Sequence, residues 1–213
     1  MHRSRFLLLT LLGVALWISP LRELGQSPNP AQGQEAKAKA DDKNAKTDAD
    51  RRPDVVYWPT PQNVVDKMLE LAEVKKGDVV YDLGCGDARI LVTAAKKYGV
   101  KGFGYDIDPE RIKDSLENVK KNDVENLVTI KRADIFTLDL KDANVVTLYL
   151  LPDLNVKLMP QLEKLKPGSR IVSHDFDMKG AKPKQTVTLK AKNHMGIEGE
   201  HKVYLWVVPW EKE

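Results

Sequence analysis

The chain has 213 residues, of which 34 are Lys or Arg and 31 are Asp or Glu, giving a formal net charge of +3. That length, with 42% hydrophobic residues, supports one domain with a sizeable core. The near balance of charge leaves no basic excess of the kind a dedicated nucleic-acid binder carries, and the single cysteine, Cys85, excludes an intramolecular disulfide.

The chain begins "MHRSRFLLLTLLGVALWISP", with Arg3 and Arg5 ahead of an apolar stretch from Phe6 to Ile18 that only Thr10 and Gly13 relieve. As a helix this stretch rises only about 20 Å, short for a bilayer core. A basic start followed by an apolar segment of this length reads as a signal peptide or an uncleaved anchor, here assigned to residues 1–25. Residues 26–52 hold no large apolar side chain and cannot offset the entropy of ordering, so they read as a disordered polar linker. The folded domain is expected over 53–213.

"TPQNVVDKMLELAEV" predicts a helix with Thr60 as N-cap, Pro61 at the first helical position and an apolar stripe of Val64, Val65, Met68, Leu69 and Ala72. Val79 to Leu83 reads as a strand, Arg89 to Tyr98 as a helix and Gly102 to Ile107 as a strand. Asp108 and Pro109 open a helix to about Lys121, with Ile112, Leu116 and Val119 inward. "LVTIKRAD" and "ANVVTLYLL" are the third and fourth strands, "PDLNVKLMPQLEKL" is a helix kinked or restarted at Pro160, and "SRIVSHD" is the fifth strand. "QTVTLKAK" and "HKVYLWVVP" form a closing hairpin around a loop with Gly196 and Gly199. This alternation predicts an α/β, Rossmann-like, doubly wound fold. Its seven-stranded sheet is mostly parallel, with one antiparallel strand from the C-terminal hairpin.

In such a sheet the ligand lies beyond the carboxyl ends of the strands. "VVYDLGCGDARI" places Asp82, Gly84 and Gly86 at the end of the first strand, and Asp106 follows Gly86 by twenty positions at the end of the second. An acidic residue at that distance suits ribose hydroxyls. A dinucleotide fingerprint would require a third glycine where Arg89 stands, and Asp82 would repel a pyrophosphate but accept a hydrogen bond from an ammonium. Asp134, after the third strand, suits the exocyclic amine of adenine. Three carboxylates at three successive strand ends therefore point to an adenosine joined to a cationic amino acid.

"VVYDLGCGDARI", "GYDID" and "RADIF" together resemble the successive motifs of class I S-adenosylmethionine-dependent methyltransferases, over roughly Asp54 to the end. The resemblance implies S-adenosyl-L-methionine as cofactor, with Asp82, Gly84, Cys85 and Gly86 around its methionine part, Asp106 and Ile107 at the ribose, and Asp134 and Ile135 at the adenine. The usual G-x-G-x-G ends here in Ala88. More narrowly, "YWPTPQNVVDKMLELAEV" and "YLLPDLNVKLMPQLEKLKPGSRIVSHDFDM" resemble the small protein-lysine methyltransferases of mitochondrial inner membranes, which act on the ATP synthase c subunit and the adenine nucleotide translocase. Tyr57 and Thr60 are similar to the cofactor-clamping Y-x-x-T of Dot1-type histone lysine methyltransferases. This implies a protein substrate with a lysine acceptor, a channel lined by Leu150, Leu151 and Pro152, and Tyr57 and Asp153 as candidate catalytic residues.

The bland readings are a turn residue for Cys85, a core aromatic for Tyr57 and a helix N-terminal carboxylate for Asp153. His174, Asp175 and Asp177 read as a solvated strand end rather than a metal site, and no metal is expected because methyl transfer from a sulfonium needs none. Trp206 and Trp210 read as core and edge aromatics. The absence of an N-P-P-Y-type tetrad after the fourth strand argues against adenine-N6 methylation of nucleic acid. A small-molecule methyltransferase and a non-catalytic cofactor-binding envelope domain stay open as alternatives. The N-terminus implies an exported or membrane-anchored protein, with the compartment of the catalytic domain and the oligomeric state left open.

Overall fold

The first parallel strand, β1 (Val79–Leu83), is buried along almost its whole length, which is what a run of VVYDL between two neighbours requires. In the computed structural model, which describes residues 52–213, β1 is flanked by β2 (Lys101–Asp106) and β4 (Val145–Leu148). With β3 (Val128–Arg132), β5 (Arg170–His174), β6 (Gln185–Lys192) and β7 (Glu198–Val207), these strands form a seven-stranded sheet in the order β3-β2-β1-β4-β5-β7-β6. Every pairing from β3 to β5 is parallel; β7 runs antiparallel to both β5 and β6. The expected hairpin is thus present, and its second strand enters the sheet between β5 and β6. That strand starts at Glu198, so Gly199 lies within it rather than in the connecting loop.

Three helices cover one face: α1 (Gln62–Leu71), α2 (Arg89–Tyr98) and α3 (Pro109–Lys121). Their apolar stripes, including Val64, Met68, Leu91 and Val119, meet Val80, Val128 and Val172 of the sheet. The opposite face carries α4 (Pro152–Leu162) and a short 3₁₀ turn (Ile135–Thr137) over Tyr81, Leu83, Leu148 and the fully buried Trp206. Helix α4 runs through Pro160 as one helix. Asp108 caps α3 as expected, its carboxylate accepting from the Glu110 amide at 2.8 Å.

Two expectations about helix faces fail. Thr60 does not cap α1; Pro61 holds the N-cap position without a side-chain bond, because the Thr60 hydroxyl is engaged by His174 at 3.2 Å. In α3 the inward residues are Ser115 and Val119, while Leu116 is exposed. Ser115 is turned in by its bond to the glycine turn, described below. At the far end of the sheet Arg170, at the start of β5, clamps the C-terminus of α1. It donates to the Ala72 carbonyl at 2.9 Å and pairs with the buried Asp78.

Among the described residues no helix is long and apolar enough to cross a membrane. The apolar N-terminal segment and all of the polar linker but Arg52 lie outside the described residues.

Candidate active site

All five parallel strands end on the same edge of the sheet, and a cavity lies there. Its floor holds Asp82 from β1, Asp106 from β2, Asp134 after β3 and Tyr149 and Leu150 after β4. The segment from Pro53 to Thr60 crosses over it as a strap.

The turn after β1 is bound from three sides. The amides of Gly84 and Cys85 both donate to the Tyr105 carbonyl of β2, at 2.8 and 3.0 Å. The Gly86 amide donates to Asp106 Oδ2 at 3.0 Å. From α3, Ser115 Oγ donates to the Gly86 carbonyl at 2.7 Å and Asn118 Nδ2 to the Asp87 carbonyl at 2.8 Å. Gly84, Gly86 and Ala88 all have positive φ, of 80°, 55° and 61°. The usual third glycine of this turn thus serves a left-handed backbone that Ala88 adopts at some strain. The Cys85 thiol is buried 3.7 Å from Ser115 Oγ, and burial pushes its pKa well up, so it is a neutral packing group under the turn.

Each carboxylate has a defined environment. Asp82 is buried and accepts from Thr147 Oγ1 at 2.6 Å. Burial pushes its carboxyl up to about 7, with the charges of Asp106 and Asp87 adding to the rise. Asp106 accepts from the Gly86 amide on Oδ2 and the Asp108 amide on Oδ1, each at 3.0 Å. Burial raises its pKa and these amides pull it back. Asp134 accepts from the Phe136 amide at 2.9 Å as it opens the 3₁₀ turn. Ile107 and Ile135 line the cavity beside it.

The strap is held by charge and ring contacts. The Tyr57 ring lies against Gly86, with the Arg111 guanidinium 4.5 Å from the ring centre. Burial, and then the Asp87 carboxylate, push the Tyr57 phenol up to about 12. Arg89 forms a forked pair with Asp87 and donates to the Thr60 carbonyl at 3.0 Å, tying the strap to α2. Trp58 meets His194 edge-on at 4.3 Å between centroids.

Of the residues expected at the site, Tyr57, Thr60, Asp82, Gly84, Cys85, Gly86, Asp106, Ile107, Asp134, Ile135 and Leu150 all line the cavity. Leu151, Pro152 and Asp153 do not: α4 begins at Pro152 and presents these residues to solvent, with Asp153 in its first turn. Tyr149, the first residue of the YLLP run, lines the cavity as well, while sequence reasoning missed Arg111, Ser115 and Asn118. It also misjudged His174, which is fully buried against Tyr149, not a solvated strand end. Burial lowers its pKa. Asp177 is exposed and stands outside the group, but His201 of β7 joins His174 and Asp175. Burial works to raise the Asp175 carboxyl, but bonds from His174, the Lys202 amide and His201 together hold it at about 2.

Comparison with known proteins agrees with this geometry. The ANTKMT methyltransferase domain model matches residues 82–185. A protein-lysine N-methyltransferase of Saccharolobus islandicus is 46% identical over 158 residues, covering 73% of this chain and 95% of the relative. The crystal structure of an RNA methyltransferase from Salinibacter ruber in complex with S-adenosyl-L-homocysteine is 47% identical. It superposes with a TM-score of 0.65 over 72% of this chain and 95% of that one. TrmN from Thermus thermophilus shares the fold at 18% identity and a TM-score of 0.56, over 70% of this chain and 48% of its own.

Proposed function

The chain belongs to the ANTKMT methyltransferase family of class I S-adenosylmethionine-dependent methyltransferases, and we propose that it moves the methyl group to the ε-amine of a lysine in a protein. The observation that carries this acceptor is the character of the cavity wall. Tyr57, Tyr149, Leu150 and Leu154 line it, and the strap beside them exposes Val56 (88%) and Trp58 (42%). The two basic side chains on the wall, Arg89 and Arg111, are already paired with Asp87 and Asp114. An apolar, aromatic wall favours a neutral amine over an ammonium, and committed arginines favour it over a nucleic-acid phosphate. The name of the Saccharolobus relative supports the same reading.

The residues present fit the cofactor. Asp82 is a buried carboxyl raised by burial and by two neighbouring carboxylates, a cost that a bound ammonium would offset. In this reading Asp82 faces the cofactor's amino group, Gly84 and Gly86 allow its methionine part close to backbone, and Asp106 receives the ribose hydroxyls. Asp134 receives the adenine amine, with Ile107 and Ile135 flanking the base. Bound S-adenosylmethionine supplies a methyl carbon on a positively charged sulfur. The protein's part is positional: the strap covers the cavity, excludes water and holds the acceptor in line. The Tyr57 phenol, held near 12, stays protonated at neutral pH and does not serve as a base. A lysine has an unperturbed pKa of about 10.4 and sheds its proton on entering the apolar wall.

The apolar stretch from Phe6 to Ile18 supports a membrane-proximal protein as acceptor, with residues 1–25 as signal or anchor and 26–52 as tether to the domain at 53–213. Incubating the chain with methyl-labelled cofactor and cell extract, then digesting with nuclease or protease, tests the acceptor class. Label should survive nuclease and be released by protease; label freed by nuclease would refute the lysine reading.

A further inference from the structure

Behind the strap, three side chains converge from two strands far apart in sequence. His174 ends β5, and His201 lies on the antiparallel β7, where His174 pairs with Val203. His201 is two positions from Val203, so both imidazoles leave the same face of the sheet. Asp175 follows with φ of +58°, a left-handed conformation unusual for a residue with a side chain. It is held there by its amide, which donates to the Lys202 carbonyl at 2.7 Å, and by its Oδ1, which accepts from the Lys202 amide at 2.8 Å. Oδ2 is left facing the histidines.

The three facing atoms form a nearly regular triangle. His174 Nε2 is 2.9 Å from His201 Nδ1, His201 Nδ1 is 3.0 Å from Asp175 Oδ2, and His174 Nε2 is 3.2 Å from the same oxygen. Hydrogen bonds do not account for all three edges. Two protonated ring nitrogens aimed at the carboxylate would face each other across the shortest edge; with only one protonated, a lone pair faces a lone pair on another edge. A cation bound by all three atoms removes the conflict. Ligands about 2.0–2.1 Å from one ion lie about 2.9–3.4 Å apart in octahedral or tetrahedral geometry, which spans the observed edges.

From this triangle we propose that His174, Asp175 and His201 form a binding site for a divalent first-row transition metal ion. Two imidazoles and a carboxylate are a common donor set for such ions. Asp175 and His201 are partly exposed, so water has access to complete the coordination. The site carries its own outer shell: His174 Nδ1 meets Thr60 Oγ1 at 3.2 Å, the kind of contact that fixes the ring of a metal-bound histidine. Thr60 lies at the root of the strap, so the ion anchors the strap to the sheet from behind the cavity. The role is structural and independent of the methyl acceptor.

The test uses the whole chain without a histidine tag, stripped by chelator and titrated with zinc, a strong binder among such ions, followed by calorimetry and elemental analysis. One zinc per chain is expected, with a rise in Tm. Cobalt(II) should give visible absorption bands of a nitrogen- and oxygen-ligated ion. Asp175→Asn and His201→Gln change partly exposed groups, and each should weaken zinc by more than the roughly 10–100-fold that outer-shell changes cost. Thr60→Val should weaken it on the order of 10-fold, and His194→Gln not at all. Failure of the wild-type chain to bind zinc, or binding unchanged in Asp175→Asn and His201→Gln, would overturn the site while leaving the methyltransferase reading intact.

Discussion

A β-carbon placed on Gly86 would lie 2.4 Å from Cε2 of Tyr57. The glycine of the turn is therefore required by the strap as well as by any ligand, and the two segments are fitted to each other across 29 residues of chain. Gly86→Ala should cost about 1–2 kcal/mol for the left-handed backbone alone, and more for displacing the ring. In a Tyr57→Ala background the second part disappears, so the two substitutions should be non-additive. Chemical denaturation of the two single variants and the double variant checks this; strict additivity would show that the ring and the turn are not coupled.

Asp106 is preset by two backbone amides to present its oxygens at the end of β2. Asp106→Ala should weaken S-adenosyl-L-homocysteine binding by about 1.5–3 kcal/mol through lost charge-assisted bonds. Calorimetry on a variant with wild-type circular dichroism decides it, and unchanged affinity would remove Asp106 from the ribose.

Asp82 gives a pH dependence with a defined sign. Its folded pKa, about 7, lies above the ordinary carboxylate value. The folded protein without cofactor therefore gains from this group at low pH, and that gain is lost as pH rises through about 7. A cofactor ammonium favours the ionised form, so cofactor affinity should rise between pH 5.5 and 7.5 and then level. Asp82→Asn should flatten the profile. A wild-type profile already flat over that range would contradict the pairing.

The Arg170–Asp78 pair holds the end of α1 on the sheet remote from the cavity. Arg170→Met strands a buried carboxylate and should destabilise the domain by about 3–5 kcal/mol. Where the variant remains folded, cofactor affinity should change little. Urea denaturation and calorimetry separate the two effects.

Much of this fold was legible because the five parallel strands are short, largely apolar and followed within a few residues by Gly, Asp or Pro, and each helix has a stripe of its own. The carboxylates were legible because a parallel sheet brings successive strand ends to one edge, so a fixed spacing from β1 predicts a common site. Contacts that depend on tertiary packing were not. Ser115 is a polar residue inside an apolar stripe, and only the position of α3 beside the turn explains it. His174 reads as polar until β7 brings His201 to it, across 27 residues. Thr60 fits an N-cap pattern, but its hydroxyl has a stronger claim elsewhere. Leu151, Pro152 and Asp153 fail as wall residues because the chain turns to solvent as α4 begins and returns to the cavity only at Leu154.

The most direct test of the central claim is mass spectrometry of protein labelled by the chain from isotopically marked S-adenosylmethionine. The predicted result is mono-, di- or trimethyllysine at a defined position in a protein, strongly reduced with Asp106→Ala and with Tyr57→Ala. Label on arginine, on a carboxylate, on RNA or on a metabolite would contradict it.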